Sequence, residues 1–243
     1  MCKLVNREQS IIMGNFLIIG ASSGIGSAVA TQLQNEGHQV FATYNTHPIV
    51  SSNHLSAHFL NVQADTIDLS FLPASLDGLV YCPGSINLRP FARIQGADFT
   101  NDFNLQVVGA IKIIQAALPA LKASGNASII LYSTVAAQLG LNFHTQVAVS
   151  KGAIEGLTKA LSAELAPTIR VNCIAPSLTD TPLAASLLNS EQKLEANAQR
   201  HPLKRVGKAE DIAEMTCFLL SNKSGWITGQ VLHVDGGMST IKL

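Results

Sequence analysis

The sequence predicts a doubly wound α/β fold, a seven-stranded parallel sheet with helices on both faces. Three observations carry this. Short apolar runs alternate with longer segments of helical period from end to end, the runs are apolar throughout as strands buried on both faces must be, and the first run ends in glycines that open a helix. The length of 243 residues suits one domain with a sizeable core, so we expect residues 14–243 to form it behind an N-terminal arm over residues 1–13.

The strands are expected at 15–20 (NFLIIG), 39–44 (QVFATY), 57–62 (AHFLNV), 78–83 (GLVYCP), 127–133 (ASIILYS), 169–175 (IRVNCIA) and 230–235 (QVLHVD). Helices are expected at 24–36, 98–123, 147–166 and 209–221. The link NTHPIVSSNHLS, 45–56, carries proline, serines and asparagines and leaves little room for a crossover helix. Residues 184–201, AASLLNSEQKLEANAQRH, read as a helix with a partly apolar face, placed to cover a substrate.

Composition narrows the function. Sixteen basic and sixteen acidic side chains cancel, which removes the electrostatic footprint of a nucleic-acid or anionic-membrane binder. No apolar run approaches the ~20 residues of a bilayer span, and the first thirteen residues lack the continuous apolar stretch of a signal peptide, with Met13 an alternative start. A cytoplasmic protein acting on a small molecule is expected. Cys2, Cys82, Cys173 and Cys217 form no C-x-x-C pair, and the seven histidines no H-x-x-x-H grouping, so no metal site is expected.

The stretch GASSGIG, 20–26, lies between a strand and a helix, the setting of a dinucleotide loop. Gly20 permits the tight turn, Gly24 lets backbone approach a pyrophosphate, and Gly26 permits close packing, while Ser22, Ser23 and Ile25 lie at the helix N-terminus with its unpaired N–H groups and positive dipole end. Glycines that merely cap a helix are the plainer reading. The second strand ends in Thr43, Tyr44 and Asn45 with no carboxylate to bond a ribose 2′-hydroxyl, which leans toward NADP(H) over NAD(H) with Thr43 and Asn45 as ligands.

The G-x-x-x-G-x-G spacing, together with the C-terminal stretch HPLKRVGKAEDIAEMTCFLLSNKSGWITGQVLHVDGG, resembles the short-chain dehydrogenase/reductase family from about residue 14 to 240. The resemblance implies a Rossmann-type fold, an NAD(P)-dependent hydride transfer at a carbonyl, alcohol or enoyl carbon, and a homodimer or homotetramer. It also implies cofactor contacts at Asn61, Val62 and Gly84, and at Pro176, Leu178 (or Ile174) and Thr181 in the loop APSLTDTPL. The family's serine, lysine and asparagine map to Ser133, Lys151 and Asn104. Its tyrosine, four residues before the lysine, maps to Val147, which has no proton to give.

Residues 142–150 contain no tyrosine, and Tyr132 should face away from its neighbour Ser133 because side chains alternate along a strand. His144, two helical turns before Lys151, is the candidate acid, since imidazole titrates near neutrality; a partly exposed histidine at a helix start is the alternative. Gln146 could orient a carbonyl but not protonate it. Lys151 sits among small and apolar residues where a buried ammonium needs a partner such as ribose hydroxyls, rather than on a solvated face. After the fourth strand the family's asparagine is replaced by Cys82. Leu88, Leu139 and Phe143 suggest a mainly apolar pocket.

The function expected is an NAD(P)H-dependent reductase of a ketone, or of an enoyl group, on a small apolar substrate. The alternative is a catalytically silent dinucleotide-binding protein acting as a sensor or assembly partner. A Ser–His hydrolase lacks both an orienting acid and a nucleophile elbow.

Overall fold

Seven apolar runs do become strands of one sheet in the computed structural model, which describes residues 13–242. The strands are β1 (Asn15–Ile19), β2 (Gln39–Tyr44), β3 (Leu55–Phe59), β4 (Gly78–Tyr81), β5 (Ala127–Tyr132), β6 (Ile169–Pro176) and, last in the chain, β9 (Val231–Val234). All pair in parallel in the order β3-β2-β1-β4-β5-β6-β9. Between β6 and β9 a separate two-residue ladder joins β7 (Thr179–Asp180) to β8 (Gly207–Lys208). The arm expected over 1–13 lies outside the described residues apart from Met13.

Alternation along each strand divides the core into two halves. Leu17, Leu79, Ile129 and Leu131 face one side, against α3 (Gly109–Ser124) and α5 (Thr145–Leu165). Ile18, Val40, Val80 and Ile130 face the other, against α1 (Gly24–Asn35) and α7 (Ala209–Leu220). The sheet is therefore covered on both faces, and the switch in strand order between β1 and β4 opens a crevice at the carboxyl ends of the strands.

Three expectations need correction. The third strand starts two residues earlier than expected and ends at Phe59, because its ladder with β2 runs from Leu55 to Phe59 and leaves Asn61 and Val62 beyond the sheet edge. The helix expected over 98–123 is α2 (Gly96–Phe103), a π-helical turn over Asn104–Val108, and α3. The Tyr81 hydroxyl donates to the Leu105 carbonyl at 2.6 Å, and a side chain at Gly109 would strike the same hydroxyl. Together these 29 residues are long and apolar enough to cross a membrane by composition, but Ile113, Ala117 and Leu121 pack into the core.

The covering segment is not one helix. A 3₁₀ stretch over Pro182–Leu187 is followed by α6 (Glu191–Gln199), while the short α4 (Ala136–Leu139) lies upstream between β5 and α5. Ser190 starts α6, its hydroxyl accepting from the Lys193 amide at 3.2 Å.

Candidate active site

The loop after β1 turns at Gly20, whose φ of +77° only glycine adopts without strain, and is held from β2 by Thr43, whose hydroxyl accepts from the Gly20 amide at 3.2 Å. A Cβ at Gly26 would stand 2.3 Å from the Gly20 carbonyl, so only glycine lets α1 start against the turn. This loop forms one wall of a cavity of about 730 Å³. Every cofactor contact expected from the sequence lines that cavity: the loop residues Gly20 and 22–26, Thr43, Asn45, Asn61, Val62, Gly84, Lys151, Pro176, Leu178 and Thr181. Thr43 is buried with its hydroxyl committed to the loop, which makes it a loop holder. Ile174 is fully buried, leaving Leu178 as the contact.

Lys151 enters from α5. Burial pulls its ammonium down to about 8, opposed by nearby Cys173, Asp102 and Cys82. Asp102 is itself buried and bonded by the hydroxyls of Ser85 and of Ser150 (2.5 Å) and by Gln106 Nε2 at 2.8 Å to each carboxylate oxygen. The Gln106 amide is thereby oriented with its nitrogen on the carboxylate, and its Oε1, buried and without a partner, points elsewhere. A Cβ built at Gly84 would lie 3.4 Å from this Oε1 and 3.7 Å from Lys151 Nζ. The space beside Gly84 thus offers an acceptor in Gln106 Oε1 and a donor in Lys151 Nζ, a pair that would suit a hydroxyl of a dinucleotide's ribose. Among the positions facing the cavity, Gln106 was missed in the sequence, although its spacing of four from Asp102 is a helix-face signal.

Asn104 does not reach the site. It is exposed and absent from the cavity wall, because Asp102 and Gln106 share the inward face and a residue two positions from each lies on the opposite side of the helix. Ser133 borders the cavity but donates its hydroxyl to Glu155 Oε1 at 2.6 Å, and Gln138 holds the other oxygen of that carboxylate at 3.1 Å. A serine has one proton, so Ser133 has none left with which to polarise a substrate oxygen. Thr134 does. Its Oγ1 accepts only from the Ala136 amide at 3.3 Å, and its side chain lines the cavity. The paired hydroxyls in LYSTV were the signal, and both sit on the loop that follows Tyr132, the last residue of β5.

His144 is the N-cap residue of α5, half-buried at the cavity wall. Its Nδ1 lies 2.7 Å from the Asn142 carbonyl, an acceptor, so Nδ1 carries hydrogen and Nε2 is the nitrogen left to exchange a proton. Val147 follows one turn on, buried against the cavity, with Lys151 a turn further. Gln146 is turned away, its Oε1 accepting from Asn87 at 3.1 Å and its Nε2 donating to the Asp98 carbonyl at 3.2 Å. Tyr132 is bonded to Thr216 at 2.8 Å and burial raises its phenol well above the ordinary value. Burial likewise pushes the Cys82 thiol up to about 12. Of the three apolar residues expected at the substrate end, Leu88 lines the cavity, whereas Leu139 and Phe143 are exposed outside it.

A crevice at a topological switch point, walled by a glycine turn and a helix-borne lysine, defines the nucleotide-binding class of doubly wound domains. The chain matches the family model described as enoyl-(acyl carrier protein) reductase over residues 64–239. It is 31% identical over 251 residues to a tropinone reductase homolog of Arabidopsis thaliana, covering 96% of this chain and 95% of that one. It is also 31% identical to L-xylulose reductase of Bos taurus, covering 91% and 94%. Among solved structures, the ligand-free aldohexose dehydrogenase of Thermoplasma acidophilum superposes with a TM-score of 0.86 at 26% identity, covering 96% and 98%. The chain belongs to the short-chain dehydrogenase/reductase family, whose members are NAD(P)-dependent oxidoreductases.

Proposed function

We propose that the protein is an NAD(P)H-dependent reductase of a ketone, with an activated alkene as the lesser possibility. The observation that carries this reading is the meeting of Thr134, His144 and Lys151 on one cavity that begins at the glycine loop. The bound dinucleotide supplies the hydride. The chain's own residues arrange the rest. Lys151 and Gln106 would hold ribose hydroxyls at Gly84, and Thr134 donates a hydrogen bond to the substrate oxygen, keeping its proton while polarising the carbonyl. As the carbonyl carbon gains the hydride, its electron pair passes to oxygen, which takes a proton from His144 Nε2–H of the imidazolium and leaves neutral imidazole and an alcohol.

In this reading the chain is an atypical family member, since Val147 stands where the resemblance puts a tyrosine. Loss of a general acid costs about 10²- to 10⁴-fold, so turnover is slow if water alone replaces it. NADP(H) is favoured because Asn45, with no carboxylate beside it on the cavity wall, leaves a 2′-phosphate unopposed. The buried apolar Val147 also favours a second reading, a silent dinucleotide-binding protein.

The test is the loss of NADPH, and separately NADH, absorbance with a panel of ketones and enones in wild type, His144→Ala and Val147→Tyr. Turnover that collapses in His144→Ala supports the relocated acid. Firm dinucleotide binding without turnover, and activity appearing only in Val147→Tyr, supports the silent reading.

A further inference from the structure

The helix α6 presents an unexpected face to the cavity. Lys193, Asn197 and Arg200 follow at intervals of four and three, one stripe of a helix, and all three line the cavity. Leu194 stands outside the stripe, 42% exposed. The helix buries Ala198, and Lys193 and Arg200, both exposed to solvent, stand at the rim of the cavity where a ligand would enter.

Among the described residues the two cations have no carboxylate partner. The Lys193 ammonium donates to the Ser186 carbonyl at 3.3 Å and to Asn189 Oδ1 at 2.9 Å, and Arg200 reaches only Asn197 Oδ1 at 3.4 Å. Glu195 on the same helix is taken by Gln199. Among the described residues no Asp or Glu lines the cavity, so its charged walls are of one sign, which draws anions.

The residues that would hold the cofactor's phosphates lie elsewhere in the crevice. Arg200 adjoins His201, which is 2% exposed and whose Nε2 lies 2.8 Å from Ser177 Oγ just beyond β6. Asn45 follows β2, four strand spacings away in the sheet order, or roughly 19 Å. The pyrophosphate turn at Gly24 is covered by Thr181, 3.3 Å from a Cβ built there, rather than by α6.

We propose that Lys193 and Arg200 bind an anionic group, a carboxylate or a phosphate, carried by the substrate at the end remote from its reacting carbonyl. The proposal rests on the reductase reading and names the substrate class for it. A guanidinium and an ammonium on one helix face suit such a group, the first by paired hydrogen bonds and the second as a point charge.

The test compares NADPH oxidation with acetoacetate, its methyl ester and dihydroxyacetone phosphate, in wild type and in the Lys193→Met/Arg200→Leu double variant, with dinucleotide affinity followed by fluorescence. In wild type the better anion should show a KM about tenfold below the ester, and the double variant should narrow this to within about threefold while dinucleotide affinity holds. Preference for the phosphate or for the carboxylate identifies which anion is meant. Equal KM values for acid and ester, or a loss of dinucleotide affinity in the variant, would overturn the proposal. If no probe is turned over, the reductase reading fails separately, and calorimetry of the same probes on the NADPH-loaded protein decides the anion site: binding of neither anion above the ester overturns it.

Discussion

Ser133 and Glu155 are joined at 2.6 Å, a hydroxyl on the carboxyl end of β5 donating to a carboxylate on α5. The bond ties the strand to the helix that carries Lys151. It separates the roles of the two neighbouring hydroxyls. Ser133→Ala should leave kcat within about threefold and cost about 1–3 kcal/mol in urea unfolding, because Glu155 loses a charge-assisted partner. Thr134→Val, nearly isosteric, should lower kcat by about 10²-fold with stability little changed. The reverse pattern would return the substrate contact to Ser133.

The pH dependence of cofactor binding follows from Lys151. Burial sets its ammonium at about 8, so the positive charge is present below that pH and is lost as pH rises through it. NADPH affinity measured by fluorescence should therefore fall between pH 7 and 9, where an ordinary lysine would leave it flat. Lys151→Arg should flatten the curve. Asp102 holds the ammonium up, and Asp102→Asn should move the fall to lower pH.

Three thiols give the free protein an alkaline limit. Burial raises Cys82, Cys173 and Cys217 from 9.0 to about 12. A folded-state value above the unfolded one means that the stability these groups contribute is complete below pH 9 and is lost between pH 9 and 12. The urea midpoint under reducing conditions should decline from pH 9 to 11, and Cys173→Ala should make the decline shallower even where it lowers the midpoint at pH 8.

Gly26→Ala tests the glycine turn. The added methyl would lie 2.3 Å from the Gly20 carbonyl, a backbone atom that can yield only by moving the turn. NADPH titration should show at least about a tenfold loss of affinity, with far-UV circular dichroism retained. Unchanged affinity would remove the loop from the binding site.

Self-association is expected from the surface. Trp226 is fully exposed near β9, which ends the sheet with no further strand beside it among the described residues, and Val149 is 52% exposed on α5. Sedimentation velocity at micromolar concentration should give a dimer or tetramer; a monomer would overturn the expectation.

The parts of the fold that rest on local pattern were legible. The apolar run GLVY reads as a buried strand, and the glycines after β1 read as a turn, because each is decided by neighbours in the chain. The π-helical turn was not, since it accompanies the reach of Tyr81 from β4 to the Leu105 carbonyl, a contact between residues 24 apart. Asn104 entered the site through the family resemblance alone, and here it is exposed and off the cavity wall. The bond from Ser133 was hidden likewise: a hydroxyl just past the end of a strand says nothing of the glutamate, 22 residues on, that accepts from it.

The bond between Ser177 and His201 has a consequence for how this molecule can change. It joins the two ends of the excursion over residues 178–200, and the ladder between β7 and β8 adds a second tie, from Thr179 and Asp180 to Gly207 and Lys208. Residues 182–200, past that double tie and past Thr181, can be lengthened, shortened or exchanged while the sheet keeps its register. That stretch is thus an exchangeable module, and a new preference in what the protein accepts can be grafted there without rebuilding the scaffold.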